Sequence, residues 1–305
     1  MKKFLKWTGI TLLGLVLVAL LASWMLARKF NSKFNEVHSF TPAPVAIPAD
    51  SASLARGKAL TVGCQGCHDK DLGGKVFFDD PKIGVLPSSN LTRATGSETE
   101  GYTDEDFVRA IRHGLNKKGN PLMVMPCEAY SHYSDQDLGT VIAYLKTLPP
   151  VDRKFDQRHF TYTAQVMAGA GLFGEMFHYN LIDHEKAKNV TAPPIGNSVE
   201  YGAYVASFDG CRACHGANFG GGKSPDPVSP PVPDISKSGN AGKWTLAEFT
   251  NLFRTGTTPD GRKPNPQFMP WEGIGALSDV EIEGLYNYIQ SLPAANTGEG
   301  KIAEK

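Results

Sequence analysis

The sequence predicts an all-α protein: two tandem copies of a small helical unit, preceded by a helix long enough to cross a membrane. Three observations support this prediction. An uncharged apolar stretch lies near the N-terminus, a Cys-x-x-Cys-His motif occurs twice, and similar helical apolar patterns follow each motif in the same order. At 305 residues the chain has room for two modest domains.

The first motif lies in "VGCQGCHDK" and places two cysteines three residues apart, with a histidine directly after them. On a helical turn, residues i, i+3 and i+4 share one face, so Cys64, Cys67 and His68 should point the same way. Two thiols at this separation can each add to a vinyl group on one edge of a porphyrin, and the imidazole can then bind its iron. This spacing is the attachment signature of c-type haem.

The second motif, in "DGCRACHGA", repeats the arrangement with Cys211, Cys214 and His215. The alternatives are a redox dithiol at each motif, or one zinc site that combines the two Cys-x-x-Cys pairs. Neither alternative explains why each pair has its own histidine at the same offset. We therefore expect two covalently bound haem c groups.

The apolar stretch from Trp7 to Ala27 contains 21 residues without a charge, enough to cross a bilayer core. A cleaved signal peptide is the alternative, but between Ala19 and Lys29 no two residues spaced as a cleavage site requires are both small. We expect a retained anchor. Because haem c is attached outside the bacterial cytoplasmic membrane, the haem units should lie on the periplasmic side of that membrane.

The repeat defines the expected organisation of the chain. The predicted segments are an anchor (1–29), a proline-containing extended tether (30–50), a first unit (51–151), a linker (152–198), a second unit (199–294) and a C-terminal tail (295–305). In each unit a helix should end at a glycine, Gly114 or Gly256. Ser134 should cap the last helix of the first unit, and serine or threonine with glutamate should form capping boxes at Thr245–Glu248 and Ser278–Glu281.

A second axial ligand is predicted at the same place in each unit. Met125 and Met269 each precede a proline, 57 and 54 residues after the motif histidines. A thioether ligand suits electron transfer and raises the reduction potential. Met123 is the rival in the first unit, although no proline follows it. Six further side chains remain candidates without matching positions in the two units: His113, His132, His178, His184, Met167 and Met176.

Together with the motifs "NLT", "DEDFVRAIRHG", "MP" and "SDQDLGTVIAYLKTLPPV", these residues resemble a membrane-anchored dihaem cytochrome c. The resemblance covers roughly residues 50 to 294 and implies two class I cytochrome c domains, similar to cytochrome subunits that accept electrons from periplasmic dehydrogenases. It also implies that Met125 and Met269 are distal ligands. The second unit departs from the pattern with "PDIS" where the first has "SNLT", and Cys127 directly after the first "MP" is unusual.

The expected function is an electron relay between a dehydrogenase or quinol-oxidising donor and an oxidase or another cytochrome, with no catalytic residues of its own. The alternatives are a dihaem peroxidase and a fixed subunit of a respiratory complex.

The net charge of zero gives no indication of a nucleic-acid partner. "ANFGGGKS" (217–224) nearly matches a phosphate-binding loop, but its first glycine is missing and the first unit has "DLGGK" there. We expect Cys127 to be buried. We expect the linker to pack on the domains and to contain a helix in "TAQVMAGAGLFGEMFHY".

Overall fold

The computed structural model describes residues 1–155, 158–224 and 230–295, and these residues confirm a mostly helical fold. The α-helices in these ranges are α1 (Lys2–Asn35), α2 (Ser51–Leu60), α3 (Val62–His68), α4 (Asp104–His113), α5 (Cys127–Tyr130), α6 (Asp135–Thr147), α7 (Tyr162–Gly169), α8 (Val199–Phe208), α9 (Cys211–His215), α10 (Leu246–Thr255), α11 (Trp271–Gly275) and α12 (Asp279–Ser291). Short 3₁₀ turns lie at His178–Leu181, Lys186–Lys188 and Ala241–Lys243. All but the first residue of the predicted tail lies outside the described residues.

Helix α1 contains the predicted anchor and continues beyond it to Asn35. Its 34 residues correspond to about 50 Å at 1.5 Å per residue. Its residues 2–22 are exposed along all faces, whereas Ala27 and Phe30 are buried against the rest of the protein. By length and composition this helix could cross a membrane, and a signal sequence near the N-terminus would pass the same test.

In each unit, the first and last helices cross at a glycine that precedes the haem motif. A Cβ atom on Gly57 of α2 would lie 2.0 Å from the carbonyl oxygen of Thr140 in α6. A Cβ atom on Gly202 of α8 would lie 1.9 Å from the carbonyl oxygen of Gly284 in α12. No real side chain tolerates such an approach, so glycine at both positions allows the two helices of each pair to touch along their backbones.

The predicted helix ends form. Thr245 with Glu248, and Ser278 with Glu281, make the expected capping boxes, and the hydroxyl of Ser134 accepts a hydrogen bond from the Asp137 amide at 3.1 Å. Helices α4 and α10 both end on a left-handed glycine, Gly114 or Gly256, with φ angles of 67° and 66°. These local signals fix the ends of the helices that surround the two haem motifs.

A small antiparallel sheet, which the sequence did not predict, joins the linker to the first unit. Its strands are β1 (Val76–Asp80), β2 (Gly84–Pro87) and β3 (His159–Phe160), in the order β1-β2-β3. Just beyond β3, the Thr161 amide donates a hydrogen bond to the carbonyl of Ile83 at 2.9 Å. Strand β3 has two residues and pairs with a strand more than seventy residues earlier, so no local sequence pattern could reveal it.

The segment predicted as an extended tether differs from that expectation. Its first residues, 30–35, continue helix α1, and the remainder lies along the first unit. The His38 amide donates to the carbonyl of Gly119 at 2.9 Å, and Arg109 Nε donates to the carbonyl of Phe40 at 3.1 Å. Gly139 leaves room for the carbonyl oxygen of Ala46, which would lie 2.2 Å from an added Cβ atom. The domain boundaries themselves remain predictions.

Candidate haem sites

Each Cys-x-x-Cys-His motif forms a short helix, and the chain continues from both helices with the same backbone conformation. Helices α3 and α9 end at His68 and His215. The next residues, Asp69 (φ 67°, ψ 166°) and Gly216 (φ 78°, ψ 168°), share one unusual backbone conformation. The two motifs are therefore equivalent in three dimensions as well as in sequence.

The glycine-rich stretch after the second motif is part of this shared path. Leu72 and Phe219 occupy equivalent positions, are both buried, and have φ angles of 57° and 59°. The carbonyl of Leu72 accepts a hydrogen bond from the Leu91 amide, and that of Phe219 accepts one from the Ile235 amide, both at 2.9 Å. Because the first unit forms the same turn, the resemblance of residues 217–224 to a phosphate-binding loop has a structural explanation.

The motif histidines are held in one tautomer by backbone carbonyls. His68 Nδ1 lies 2.7 Å from the carbonyl oxygen of Ser89, and His215 Nδ1 lies 2.9 Å from that of Pro233. A carbonyl can only accept, so each Nδ1 carries the proton and each Nε2 keeps a free lone pair. Burial lowers the pKa of both imidazoles below the ordinary value. Both side chains are thus neutral bases, as a metal-ligating histidine must be.

The two Met-Pro segments also share one conformation. Pro126 has φ −78° and ψ 58°, and Pro270 has φ −76° and ψ 59°. Around each proline a tight turn closes, in which the following amide donates to the methionine carbonyl, at 2.8 Å after Met125 and 2.7 Å after Met269. Proline fixes φ and so reduces the freedom of the methionine beside it. The same turn in both units would hold each methionine side chain at a fixed position.

The first site is an open cleft that brings together all four side chains expected to hold one haem. Cys64, Cys67, His68 and Met125 line it together. The cleft encloses about 1260 Å³ of empty space, counting the part that is open to solvent. Its remaining wall is largely apolar and aromatic and includes Leu91, Phe107, Ile111, Val141 and Leu145. Two thiols, a neutral imidazole and a thioether in an apolar cleft fit a c-type haem.

The second site is built from the same parts. His215 is 6% exposed, and Cys211 and Met269 pack against the main hydrophobic core. Burial raises the pKa of the Cys211 thiol to about 12, as it does for Cys64 in the first unit. Both side chains are therefore neutral thiols in an apolar setting, with the same relation to their motif histidines.

The other candidates for the second axial ligand lie outside the first cleft, except for Met123. Met123 lines the first cleft beside Met125, so the cleft alone does not separate the two. The lining of that cleft does not include His113, His132, His178, His184, Met167 or Met176. Within the described ranges, no three histidine, cysteine or acidic side chains converge as a metal-binding group, which gives the single shared zinc site no support.

Two of these histidines instead contact each other. His113 Nδ1 lies 3.0 Å from His184 Nδ1, and their rings stack with centroids 5.3 Å apart. Burial and the neighbouring His184 lower the pKa of His113 to about 3. The pair joins the end of α4 to the linker. It could not be predicted from a local sequence pattern, because the two positions are 71 residues apart.

The two units meet through their haem motifs, each of which packs against the Met-Pro helix of the other unit. A Cβ atom on Gly273 of α11 would lie 3.1 Å from Gly63 of α3, and one on Gly210, which begins α9, would lie 3.1 Å from Ala129 of α5. Gly63 and Gly210 are equivalent in the repeat, as are Ala129 and Gly273. The interface is thus reciprocal, and small residues on both sides bring the two haem-binding elements into close contact.

A buried polar cluster lies in the same interface. Arg56 donates from Nε to Asp137 Oδ1 at 2.9 Å and from Nη1 to Glu281 Oε1 at 2.6 Å. The hydroxyl of Tyr201 donates to Glu281 at 2.6 Å, and that of Tyr204 donates to Asp137 at 2.7 Å. The charged side chains are 15%, 9% and 5% exposed for Arg56, Asp137 and Glu281. Each carboxylate therefore receives donors from both units.

An aromatic stack, which the sequence did not predict either, crosses the interface between the sites. Tyr130 and Tyr133 line the first cleft, and their rings stack with centroids 5.8 Å apart. Tyr133 also stacks on Phe208 of the second unit at 4.9 Å. Phe208 lies three positions ahead of Cys211 in the chain. The stack therefore joins the wall of the first cleft to the helix that leads into the second motif.

Two equivalent haem-binding domains in contact, each with matched histidine and methionine positions, define an electron-transfer protein. The chain belongs to the cytochrome c family, whose family model matches residues 54–149 and 199–293. It carries two c-type haems, one in each domain. The matched ranges include both motifs and both Met-Pro turns.

Curated relatives agree with this class. The chain is 25% identical over 291 residues to the fructose dehydrogenase cytochrome subunit of Gluconobacter japonicus, covering 85% of this chain and 56% of the relative. It is 23% identical over 287 residues to the alcohol dehydrogenase (quinone) cytochrome c subunit of Gluconacetobacter polyoxogenes, covering 83% and 58%. It is 23% identical over 311 residues to a diheme cytochrome c-type protein of Cereibacter sphaeroides, covering 92% and 97%. The chain thus spans a little over half the length of the two dehydrogenase subunits.

Proposed function

We propose that this chain relays single electrons between two six-coordinate haems and performs no bond-making chemistry. The observation that carries the proposal is the match between the two units, in which equivalent histidines and equivalent Met-Pro turns have the same geometry. The proposed attachment and ligand residues are Cys64, Cys67, His68 and Met125 for the first haem, and Cys211, Cys214, His215 and Met269 for the second.

Bound in these sites, a c-type haem supplies a one-electron couple at its iron. The protein residues around it have three tasks. The carbonyls of Ser89 and Pro233 keep Nε2 of each histidine unprotonated and facing its site. The Met-Pro turns supply a thioether, which favours the reduced iron, and the apolar walls exclude water. None of these tasks moves a proton or an atom of a substrate.

The contact between the units supports transfer from one haem to the other. Gly63 with Gly273, and Gly210 with Ala129, hold the two haem-binding elements against each other. Tyr133 and Phe208 fill the space between them with stacked rings. Burial raises the pKa of Tyr133 well above the ordinary value, so this ring stays neutral and adds no charge between the sites. An electron can pass between the domains without either of them moving.

A dihaem peroxidase is the alternative, and the matched methionines argue against it. Peroxide must reach an open iron face, with an acid or base over it. We expect the fully reduced protein to give electrons rapidly to a soluble one-electron acceptor, yet to react slowly with peroxide, carbon monoxide and oxygen. Stopped-flow mixing measures both rates. Rapid peroxide turnover that is abolished by changing a histidine outside the motifs, such as His113→Ala, would overturn the relay.

The relatives favour a partner for this relay. We propose that the chain is the cytochrome subunit of a dehydrogenase, held outside the bacterial cytoplasmic membrane by a retained α1, and passes electrons onward to an oxidase or another cytochrome. The packing of residues 36–50 on the first domain favours a fixed subunit over a long-tethered shuttle.

Detergent extraction tests this partnership. The chain should elute from membranes with a larger catalytic polypeptide, and a substrate of that enzyme should reduce both haems within the complex. The sugar and alcohol substrates that the relatives' names indicate are the first to try. Recovery of the chain from washed membranes with no substrate-dependent haem reduction by any co-eluting protein would contradict the proposal.

A further inference from the structure

The linker contains a long uncharged segment whose role the relay does not explain. From Phe160 to Gly174 there is no acidic, basic or histidine side chain, although the chain as a whole is 20% charged. The segment includes helix α7, which packs against helix α1. Helix α7 is shorter than the possible helix in the sequence and ends at Gly169, where positive φ angles at Gly171 and Gly174 break the pattern.

The contacts with α1 place this segment at a definite depth. The hydroxyls of Tyr162 and Ser23 lie 2.9 Å apart in a hydrogen bond. A Cβ atom on Gly169 would lie 2.0 Å from the carbonyl oxygen of Leu26. Ser23 and Leu26 belong to the uncharged stretch of α1 that ends at Ala27, and lie within about 6 Å of its end along the helix axis. The linker therefore contacts the apolar stretch itself.

The exposed surface around this contact changes polarity in the order that a bilayer boundary requires. Three large side chains of the two helices and the turn after α7 are exposed: Leu172 at 60%, Tyr162 at 53% and Trp24 of α1 at 50%. Further along α1 the exposed groups become charged, beginning with Arg28, and Lys33 pairs with Glu175 at 3.2 Å. Tryptophan and tyrosine are enriched where acyl chains meet headgroups.

We propose that the surface formed by Tyr162, Leu172 and Trp24 rests in the headgroup–acyl boundary of the bilayer that α1 crosses. Phospholipid is the occupant because Tyr162 joins this surface to the uncharged, exposed stretch of α1 through Ser23, and the segment itself carries no charge. This inference rests on the proposed retention of α1. It gives the protein two membrane contacts, a spanning helix and an interfacial linker.

The second contact fixes the first haem site relative to the membrane. Phe30 of α1 packs on Phe160 and Phe177 of the linker, with ring centroids 5.5 Å and 6.0 Å away. The same apolar cluster contains Leu86 and Met123, which line the first cleft. An unbroken series of packed side chains thus runs from the membrane boundary to the first haem site, and holds that site at one height.

Spin labels on the full-length holoprotein in phospholipid vesicles test the proposal. Leu172→Cys carries the label, Val16→Cys reports the middle of α1, and Ile195→Cys is the matched control because it is a similarly exposed linker residue (61%). Once the motif cysteines are bound to haem, the remaining native thiol is Cys127, which is 0% exposed. Labels at 16 and 172 should collide with oxygen and be protected several-fold from a water-soluble nickel chelate, and the label at 195 should show the reverse.

The other outcomes each overturn the proposal. A label at 172 that the chelate reaches, with the label at 16 protected, rejects the interfacial contact and keeps the anchor. Chelate access at both sites rejects the anchor as well. Protection at 172 from both reagents indicates a protein partner in place of lipid. If the labelled Leu172 variant folds poorly, Tyr162→Cys provides the same reading from the other end of the surface.

Discussion

Replacing Met125 by alanine is expected to open one iron to added ligands and to lower its reduction potential, while the second haem keeps its wild-type properties. Met125 lines the first cleft together with the motif histidine and both thiols. Loss of the thioether should remove the proposed ligand, and a thioether ligand favours reduced iron. The shift should be a sizeable part of the range of about 0.8 V over which axial ligands set haem potentials. Redox titration and carbon monoxide binding measure the two effects.

Met123→Ala is the matched control. Met123 is 8% exposed, lines the same cleft and lies two positions away, but no proline fixes its turn. This variant should keep a closed iron and a wild-type potential, apart from a modest loss of stability. Met269→Ala should repeat the Met125 result in the second domain. Wild-type spectra and potentials in both Met125→Ala and Met269→Ala, or an iron opened by Met123→Ala alone, would refute the ligand assignment.

The haem motifs and the helix ends could be predicted from the sequence because they depend on local patterns. Cys64, Cys67 and His68 are neighbours on one turn, so their spacing alone encodes their shared direction. The repeat added information that a single domain lacks. It marked Met125 and Met269 as equivalent, and the structure shows the same turn at both positions.

Side chains that meet across the two domains were not predictable in this way. Glu281 was recognised as part of a capping box, and it does cap α12, but it also accepts hydrogen bonds from Arg56 and Tyr201. Arg56 on its own resembles any charge on a helix surface. The one available signal was that Arg56 and Tyr201 occupy the same place in the repeat, each directly before the crossing glycine.

The position of Cys127 directly after the first Met-Pro pair can be explained by comparing the folded structures of the two units. It occupies the position of Trp271, since each follows the proline of a Met-Pro turn and lies against the glycine that ends the preceding helix. Cys127 Sγ lies 3.3 Å from the Cβ position of Gly114, and the Trp271 ring lies 2.4 Å from that of Gly256. The expectation of a buried thiol is confirmed at 0% exposure.

Replacing Arg56 by alanine is expected to destabilise the holoprotein by about 3–5 kcal/mol, because it leaves Asp137 and Glu281 as buried carboxylates without their cation. Arg254→Ala is the matched control. It removes an arginine that pairs with Asp279 at 2.6 Å, but that carboxylate is 86% exposed and such pairs contribute about 0–1 kcal/mol. Urea unfolding followed at the haem absorbance compares the two variants.

Neutralising the acids together with the arginine distinguishes an unpaired charge from lost packing. The triple variant Arg56→Met, Asp137→Asn, Glu281→Gln should recover most of the stability that Arg56→Ala loses, since a buried ion cluster and a neutral one of similar volume are close in free energy. Equal losses in Arg56→Ala and Arg254→Ala would show that the cluster does not stabilise the interface. A triple variant less stable than Arg56→Ala would show that lost packing, and not an unpaired charge, causes the loss in Arg56→Ala.

The cluster should also make stability depend on acid pH through Glu281. Burial alone would raise the pKa of this carboxyl, but hydrogen bonds from Ser278 and Tyr201, together with Arg56, hold it below its ordinary value of 4.5. A carboxyl with a lowered pKa in the folded state contributes its full stabilisation above that ordinary value, and the contribution is lost as the pH falls through the lowered folded value. Wild-type stability should therefore decline more steeply below about pH 4.5 than that of Glu281→Gln. Parallel declines in the two proteins would show that Glu281 does not stabilise the folded state as a carboxylate.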